Sequence, residues 1–134
     1  MSVRVGILST AHINRLVIAP ARASDKVEIT AVASRDAARA SAYAREWDIP
    51  QAYGSYEELL ADPEIDAIYN PLPNSMHVDW SIRALEAGKH VLCEKPLSRH
   101  PQDVERAFDT AEREGLVLTE AFMYRHNPQT AQLV

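Results

Sequence analysis

With 134 residues, 46% hydrophobic content and a formal charge of -5, the chain is long enough to bury the core of one ordinary domain. Its pI near 5.5 leaves no basic stripe for nucleic-acid phosphates, since Arg83, Lys89 and Lys95 are scattered. The single cysteine, Cys93, excludes an intrachain disulfide or a zinc site, and no apolar run reaches the length of a signal sequence or membrane span, so the expectation is a cytoplasmic chain with no metal, nucleic-acid or membrane partner.

Val3 to Leu8 is an apolar run of strand length. Ile13, Leu16 and Val17 then recur at helical spacing until Pro20 is expected to interrupt them. A second strand, rich in β-branched residues, spans Val27 to Ser34, and Asp36 is placed to cap an alanine-rich helix running to about Trp47. Pro50 to Tyr53 forms a short third strand, after which Ser55 to Glu58 has the serine-to-glutamate spacing of a helix start.

Ala67 to Asn70 gives a fourth strand, Asn74 is expected to cap the next helix to about Ala87, and Gly88 stands where a helix ends. His90 to Cys93 is the fifth strand, with Cys93 a small buried residue. Pro101 suits the first turn of a helix whose Val104, Ala107, Phe108 and Ala111 form a sheet-facing stripe, closed by Gly115. Leu116 to Thr119 is the sixth strand, and His126 to Val134 begins one more helix. Strands separated by helices imply an α/β, doubly wound parallel sheet of Rossmann type in the order 3-2-1-4-5-6.

In such a sheet the carboxyl ends of the strands border a ligand crevice, and a dinucleotide needs close backbone approach at the first strand-helix turn. Here that turn runs from Gly6 to Asn14, and the three fingerprint glycine positions fall at Ser9, Ala11 and Asn14. Ser9 and Ala11 are small, the amides of Thr10, Ala11, His12 and Ile13 persist, and Ser9 and Thr10 add hydroxyl groups. The second strand ends at Ser34 and Arg35, where an NAD-selective site would carry a carboxylate. A guanidinium there can pair with a 2′-phosphate, which favours NADP while leaving NAD possible. Glu94 and Lys95, directly after the fifth strand, stand where cofactor would meet substrate.

Asn74-Ser75-Met76-His77, Ala87-Gly88-Lys89-His90, Glu94-Lys95-Pro96 and Glu120-Ala121-Phe122-Met123-Tyr124-Arg125 together resemble the N-terminal half of the glucose–fructose oxidoreductase, inositol dehydrogenase and rhizopine-catabolism family (Gfo/Idh/MocA). The nearest likeness is to its dihydrodiol and D-xylose dehydrogenase branch. The resemblance covers essentially the whole chain. It implies that Leu72, Pro73, Asn74 and His77 line the cofactor, that Glu94 faces the nicotinamide ribose, and that Lys95 contacts both cofactor and the reacting oxygen of a hydroxyl or carbonyl substrate. Tyr124 and Arg125 extend toward that substrate.

It further implies a dinucleotide domain over 1–120, a connection over 121–134, and a sheet domain, absent from these residues, that completes the pocket. Catalysis by the 134 residues alone is therefore not expected. Apolar surface near Leu116 to Tyr124 is expected to support a homo-oligomer or a partner supplying the sheet domain. A non-catalytic nucleotide-binding or regulatory module, or a degenerate paralogue that keeps the fold but no ligand, remains an alternative.

Overall fold

The computed structural model describes residues 1–133. Six strands form one sheet in the order β3-β2-β1-β4-β5-β6: β1 (Val3–Leu8), β2 (Val27–Ala33), β3 (Gln51–Tyr53), β4 (Ala67–Asn70), β5 (His90–Cys93) and β6 (Leu118–Glu120). Every pairing is parallel, with Ile7 opposite both Val32 and Tyr69, and Cys93 opposite Asn70 and Glu120. This is the order expected from the alternation of strand and helix signals.

Side chains on successive strand residues point to opposite faces, so each strand feeds two cores. Leu8, Ala31, Ala33, Ile68, Val91 and Cys93 enter the larger core, which α3 (Tyr56–Ala61), α4 (His77–Glu86) and α5 (Pro101–Glu114) cover. Ile7, Val32 and Tyr69 enter the smaller one, beneath α1 (Arg15–Ala21) and α2 (Ala37–Glu46). Cys93 is fully buried, and burial pushes its thiol up to about 12, far from a reactive thiolate.

Local chemistry sets most element ends. The Asp36 carboxylate accepts from the Arg39 amide at 3.1 Å and the Ser55 hydroxyl from the Glu58 amide at 3.2 Å, each satisfying a first-turn donor. Glu58 reaches back to the Gly54 amide at 3.1 Å, one residue before the cap. Gly115 closes α5 in the left-handed region at φ 67°.

Four expectations require correction. Pro20 lies inside α1 rather than ending it, because the helix stops one residue later and leaves little to disrupt. Asn74 makes no side-chain cap; it opens a 3-10 turn, Asn74–Met76, that precedes α4. Phe108 is 42% exposed, since Ala107, Thr110 and Ala111 occupy the buried face of α5. β6 begins at Leu118 because the Leu116 amide still bonds to Ala111 in the helix end and the Val117 amide to the His90 ring.

At the amino ends of the strands, Arg4 grips Asp66 through Nε at 3.0 Å and Nη2 at 2.9 Å, joining β1 to the start of β4. That guanidinium holds the Asp66 carboxyl down at about 2. Lys89 is 5% exposed, and its Nζ donates to the carbonyls of Asp62 at 2.7 Å and Ile65 at 2.9 Å. Burial lowers its pKa first, with Asp62 and Asp66 opposing.

β1 approaches α3 closely at Gly6, where an added Cβ would lie 2.8 Å from Leu59 Cδ2 and 3.3 Å from Ile65 Cγ2. Both neighbours are buried core side chains. Gly6→Ala should therefore destabilise the fold by about 1–2 kcal/mol through overpacking. Urea denaturation followed by circular dichroism measures this, and an unchanged midpoint would show that Leu59 moves aside freely.

Candidate functional site

The crevice lies along the carboxyl ends of β1, β2, β4, β5 and β6. At its centre Ser9 leaves β1 with φ 103°, a conformation that suits glycine, while its amide still donates to Ala33 of β2 at 2.9 Å. Asn14, at the third glycine position, is fully buried and donates from Nδ2 to the Ser9 carbonyl at 2.9 Å. Its side chain thus fills the close helix-strand approach and clamps the strained residue. Among the described residues, the buried Ser9 Oγ and Asn14 Oδ1 have no hydrogen-bond partner. Burial raises the nearby Tyr43 phenol above its ordinary range, and the Asn14 side chain opposes that rise.

Toward β2 the crevice opens into a cleft of about 580 Å³ between the first turn and α2, lined by Thr10, His12, Arg15, Arg39, Tyr43 and Glu46 among others. Thr10 and His12 were expected in the site; Arg39 and Arg15 were not. A signal for Arg39 was present, because α2 carries no acid in its first turn and places a cation there against the helix dipole. Arg35 is exposed one turn earlier, and Ser34 is buried with its hydroxyl accepting the Asp36 amide at 3.2 Å. No carboxylate stands at the end of β2.

Toward β5 and β6 lies an apolar cleft of about 240 Å³, lined by Ile13, Leu16, Tyr69, Leu92, Glu94 and Phe122 among others. Glu94 supplies a carboxylate to it. The Glu94 amide donates to the Asn70 carbonyl at 2.9 Å, and Oε1 accepts from the Tyr69 hydroxyl at 2.8 Å. Lys95 is exposed and makes no side-chain hydrogen bond or ion pair among the described residues. Tyr124 and Arg125 are exposed beyond the cleft, and the Tyr124 ring lies 5.8 Å from that of Phe122.

The segment after β4 is only partly turned to the crevice. Leu72 is 4% exposed and packs in the larger core, whereas Pro73 and Asn74 are exposed. His77 is 1% exposed, with Nε2 2.6 Å from the Leu72 carbonyl and Nδ1 2.8 Å from the Pro96 carbonyl. It joins the loop after β4 to the loop after β5 instead of presenting a free imidazole. Asn70 supports the same junction by accepting the Leu72 amide at 3.2 Å and donating to the His77 carbonyl at 3.1 Å.

The arrangement suits an extended, anionic dinucleotide: small residues at the centre, cations toward β2, an apolar slot with one carboxylate toward β5. The family model described as "Oxidoreductase family, NAD-binding Rossmann fold" (Gfo/Idh/MocA) matches residues 3–122. A D-xylose 1-dehydrogenase (NADP(+)) of Haloferax volcanii is 53% identical over 125 residues, covering 93% of this chain and 38% of that protein. A trans-1,2-dihydrobenzene-1,2-diol dehydrogenase of Danio rerio is 36% identical, with 99% and 40% covered. Among solved structures, a 3-ketoreductase from Actinomadura kijaniata in complex with TDP-benzene and NADP superposes with a TM-score of 0.93 at 39% identity, over 99% of this chain and 42% of that one. The chain thus spans about two-fifths of the length of these relatives.

Because Ser9 holds a positive φ and its hydroxyl has no partner among the described residues, Ser9→Gly should raise stability by roughly 0.5–1 kcal/mol, relief of strain exceeding the added chain entropy. Equilibrium urea unfolding checks this; a loss of stability would mean that the serine conformation is not strained.

Proposed function

The chain belongs to the Gfo/Idh/MocA oxidoreductase family as its NAD(P)-binding domain, and on that premise we propose that it binds NADP for hydride exchange with a sugar, polyol or related hydroxyl or carbonyl compound. The observation that carries the reading is the polarity of the crevice, with Thr10, His12, Arg15 and Arg39 around one cleft and Glu94 in the other. When bound, the dinucleotide supplies or accepts the hydride.

The chain's own groups divide the work. Thr10, Ala11, His12 and Ile13 present backbone amides, and Thr10 a hydroxyl, to the pyrophosphate, while Ser9, its amide held by Ala33, keeps the turn small beside it. Arg35 and Arg39 meet the 2′-phosphate, which a carboxylate in place of Ser34 would repel. Glu94 accepts from ribose hydroxyls. Lys95 orients the substrate oxygen and stabilises charge developing on it. Leu72, Pro73, Asn74 and His77 shape the wall between them, and Tyr124 and Arg125 face the substrate side.

Turnover in this proposal requires the sheet domain that the longer relatives have room for, supplied by a continuation of the chain or by a partner. The exposed Val117, Met123 and Tyr124, at 61%, 71% and 61%, suit such a contact or a homo-oligomer. No helix of the described residues is long and apolar enough to cross a membrane. The replaced fingerprint glycines favour one competing reading, a nucleotide-binding module without catalysis.

NADP should bind more tightly than NAD. Arg35→Ala should weaken NADP by roughly tenfold while leaving NAD nearly unchanged, the effect of one charge-assisted contact. Calorimetric titration with both cofactors decides it, and equal losses or no binding of either would overturn the assignment. In a complex or fusion that contains the sheet domain, Lys95→Ala should slow hydride transfer by roughly a hundredfold with dinucleotide affinity preserved. Normal turnover would remove Lys95 from the chemistry, and binding without turnover by the unmodified assembly would favour the non-catalytic module.

A further inference from the structure

Tyr69 is the largest of the fully buried side chains, yet it carries a polar hydroxyl into the smaller core. A buried phenol needs a partner, and the one it has is Glu94, at 2.8 Å. Tyr69 lies in β4 opposite Leu92 of the parallel β5, and Glu94 follows two residues after Leu92, just past the end of that strand. The hydroxyl therefore reaches diagonally toward the crevice end of the sheet. Its neighbour Asn70 fixes the same glutamate by accepting the Glu94 amide at 2.9 Å. β4 thus holds Glu94 by main chain and side chain together.

The remaining carboxylate oxygen, Oε2, takes only a long bond of 3.3 Å from the Lys95 amide. A carboxylate offers about four lone-pair sites, so acceptor capacity is left facing the cleft. Tyr69, in contrast, has a single proton to give, and it donates that proton to a carboxylate oxygen that can only accept; burial, followed by this hydrogen bond, raises the phenol far above its ordinary range. Without the hydroxyl, the Glu94 side chain would be free to rotate toward solvent.

We propose that Tyr69 is a positioning residue that locks the Glu94 carboxylate in the orientation in which it accepts from the nicotinamide ribose. This rests on the dinucleotide reading above. Tyr69 touches no cofactor in this arrangement; it acts through Glu94, and its substitution by phenylalanine keeps the packing while removing the lock.

Two measurements on the 134-residue chain test it. Without any ligand, proton NMR should show a slowly exchanging Tyr69 hydroxyl resonance that disappears in Glu94→Ala; its absence from the unmodified chain, or survival in the variant, overturns the pairing. With ligands, Tyr69→Phe should weaken NADPH binding roughly three- to tenfold, the range of one hydrogen bond to a charged group. Binding of adenosine 2′,5′-bisphosphate, which lacks the nicotinamide half, should not change.

In a Glu94→Gln background, Tyr69→Phe should cost NADPH affinity little more, because the lock has nothing left to hold. Additive losses, or equal weakening of both ligands, would make Tyr69 a general structural residue and overturn the proposal. If the unmodified chain binds neither ligand, the dinucleotide reading fails and the ribose role fails with it, while the NMR result still decides the Tyr69–Glu94 pair.

Discussion

The pairing of β1 with both β2 and β4 is the constraint on which the site depends. A central strand flanked on both sides in parallel brings three carboxyl ends into line. Crossovers leave those neighbours in opposite directions, so the turn after β1 opens into a gap that helices do not fill. Ser9 sits there because its amide must still reach Ala33 on β2 while the chain turns into α1. The positive φ is the geometric consequence, and it arises from the sheet rather than from the serine.

Asn14 explains how the turn survives without glycines. A glycine at this position would let helix and strand meet through bare backbone; an asparagine cannot allow that, but its amide replaces van der Waals approach with a hydrogen bond to Ser9. The clamp couples the residue that must be strained to the residue immediately before α1. Small side chains at Ser9 and Ala11 keep the crevice side clear. A glycine pattern is thus one solution to a spatial requirement, and this sequence contains another.

Features governed by neighbours in sequence were legible in advance. Asp36, Ser55 and Gly115 act within a few residues of themselves, and their caps stand where their chemistry placed them. The alternation of strands and helices likewise carried the sheet order. Asn74 misled because the same residue type starts 3-10 turns as well as helices, and Phe108 because a fourth apolar residue widens a stripe beyond the width that α5 buries. Arg39 and Tyr69 were not singled out for the site, since their significance depends on which elements lie beside them. Tyr69 in isolation is an aromatic strand residue; only its parallel register against β5 brings its hydroxyl to Glu94.

The contrast between Glu94 and Lys95 carries this further. They are consecutive, so the strand end turns them to different surroundings: Glu94 is fixed through its amide and both carboxylate oxygens, while Lys95 is exposed without a side-chain partner among the described residues. A lysine side chain carries about 2 kcal/mol of rotamer entropy, which an unpartnered ammonium retains. The groups proposed to hold cofactor are therefore organised by this sheet. The group proposed to meet substrate is not. In the proposed function, cofactor binding thus falls to a carboxylate that the sheet holds in place, and chemistry to an ammonium that it leaves unpartnered among the described residues.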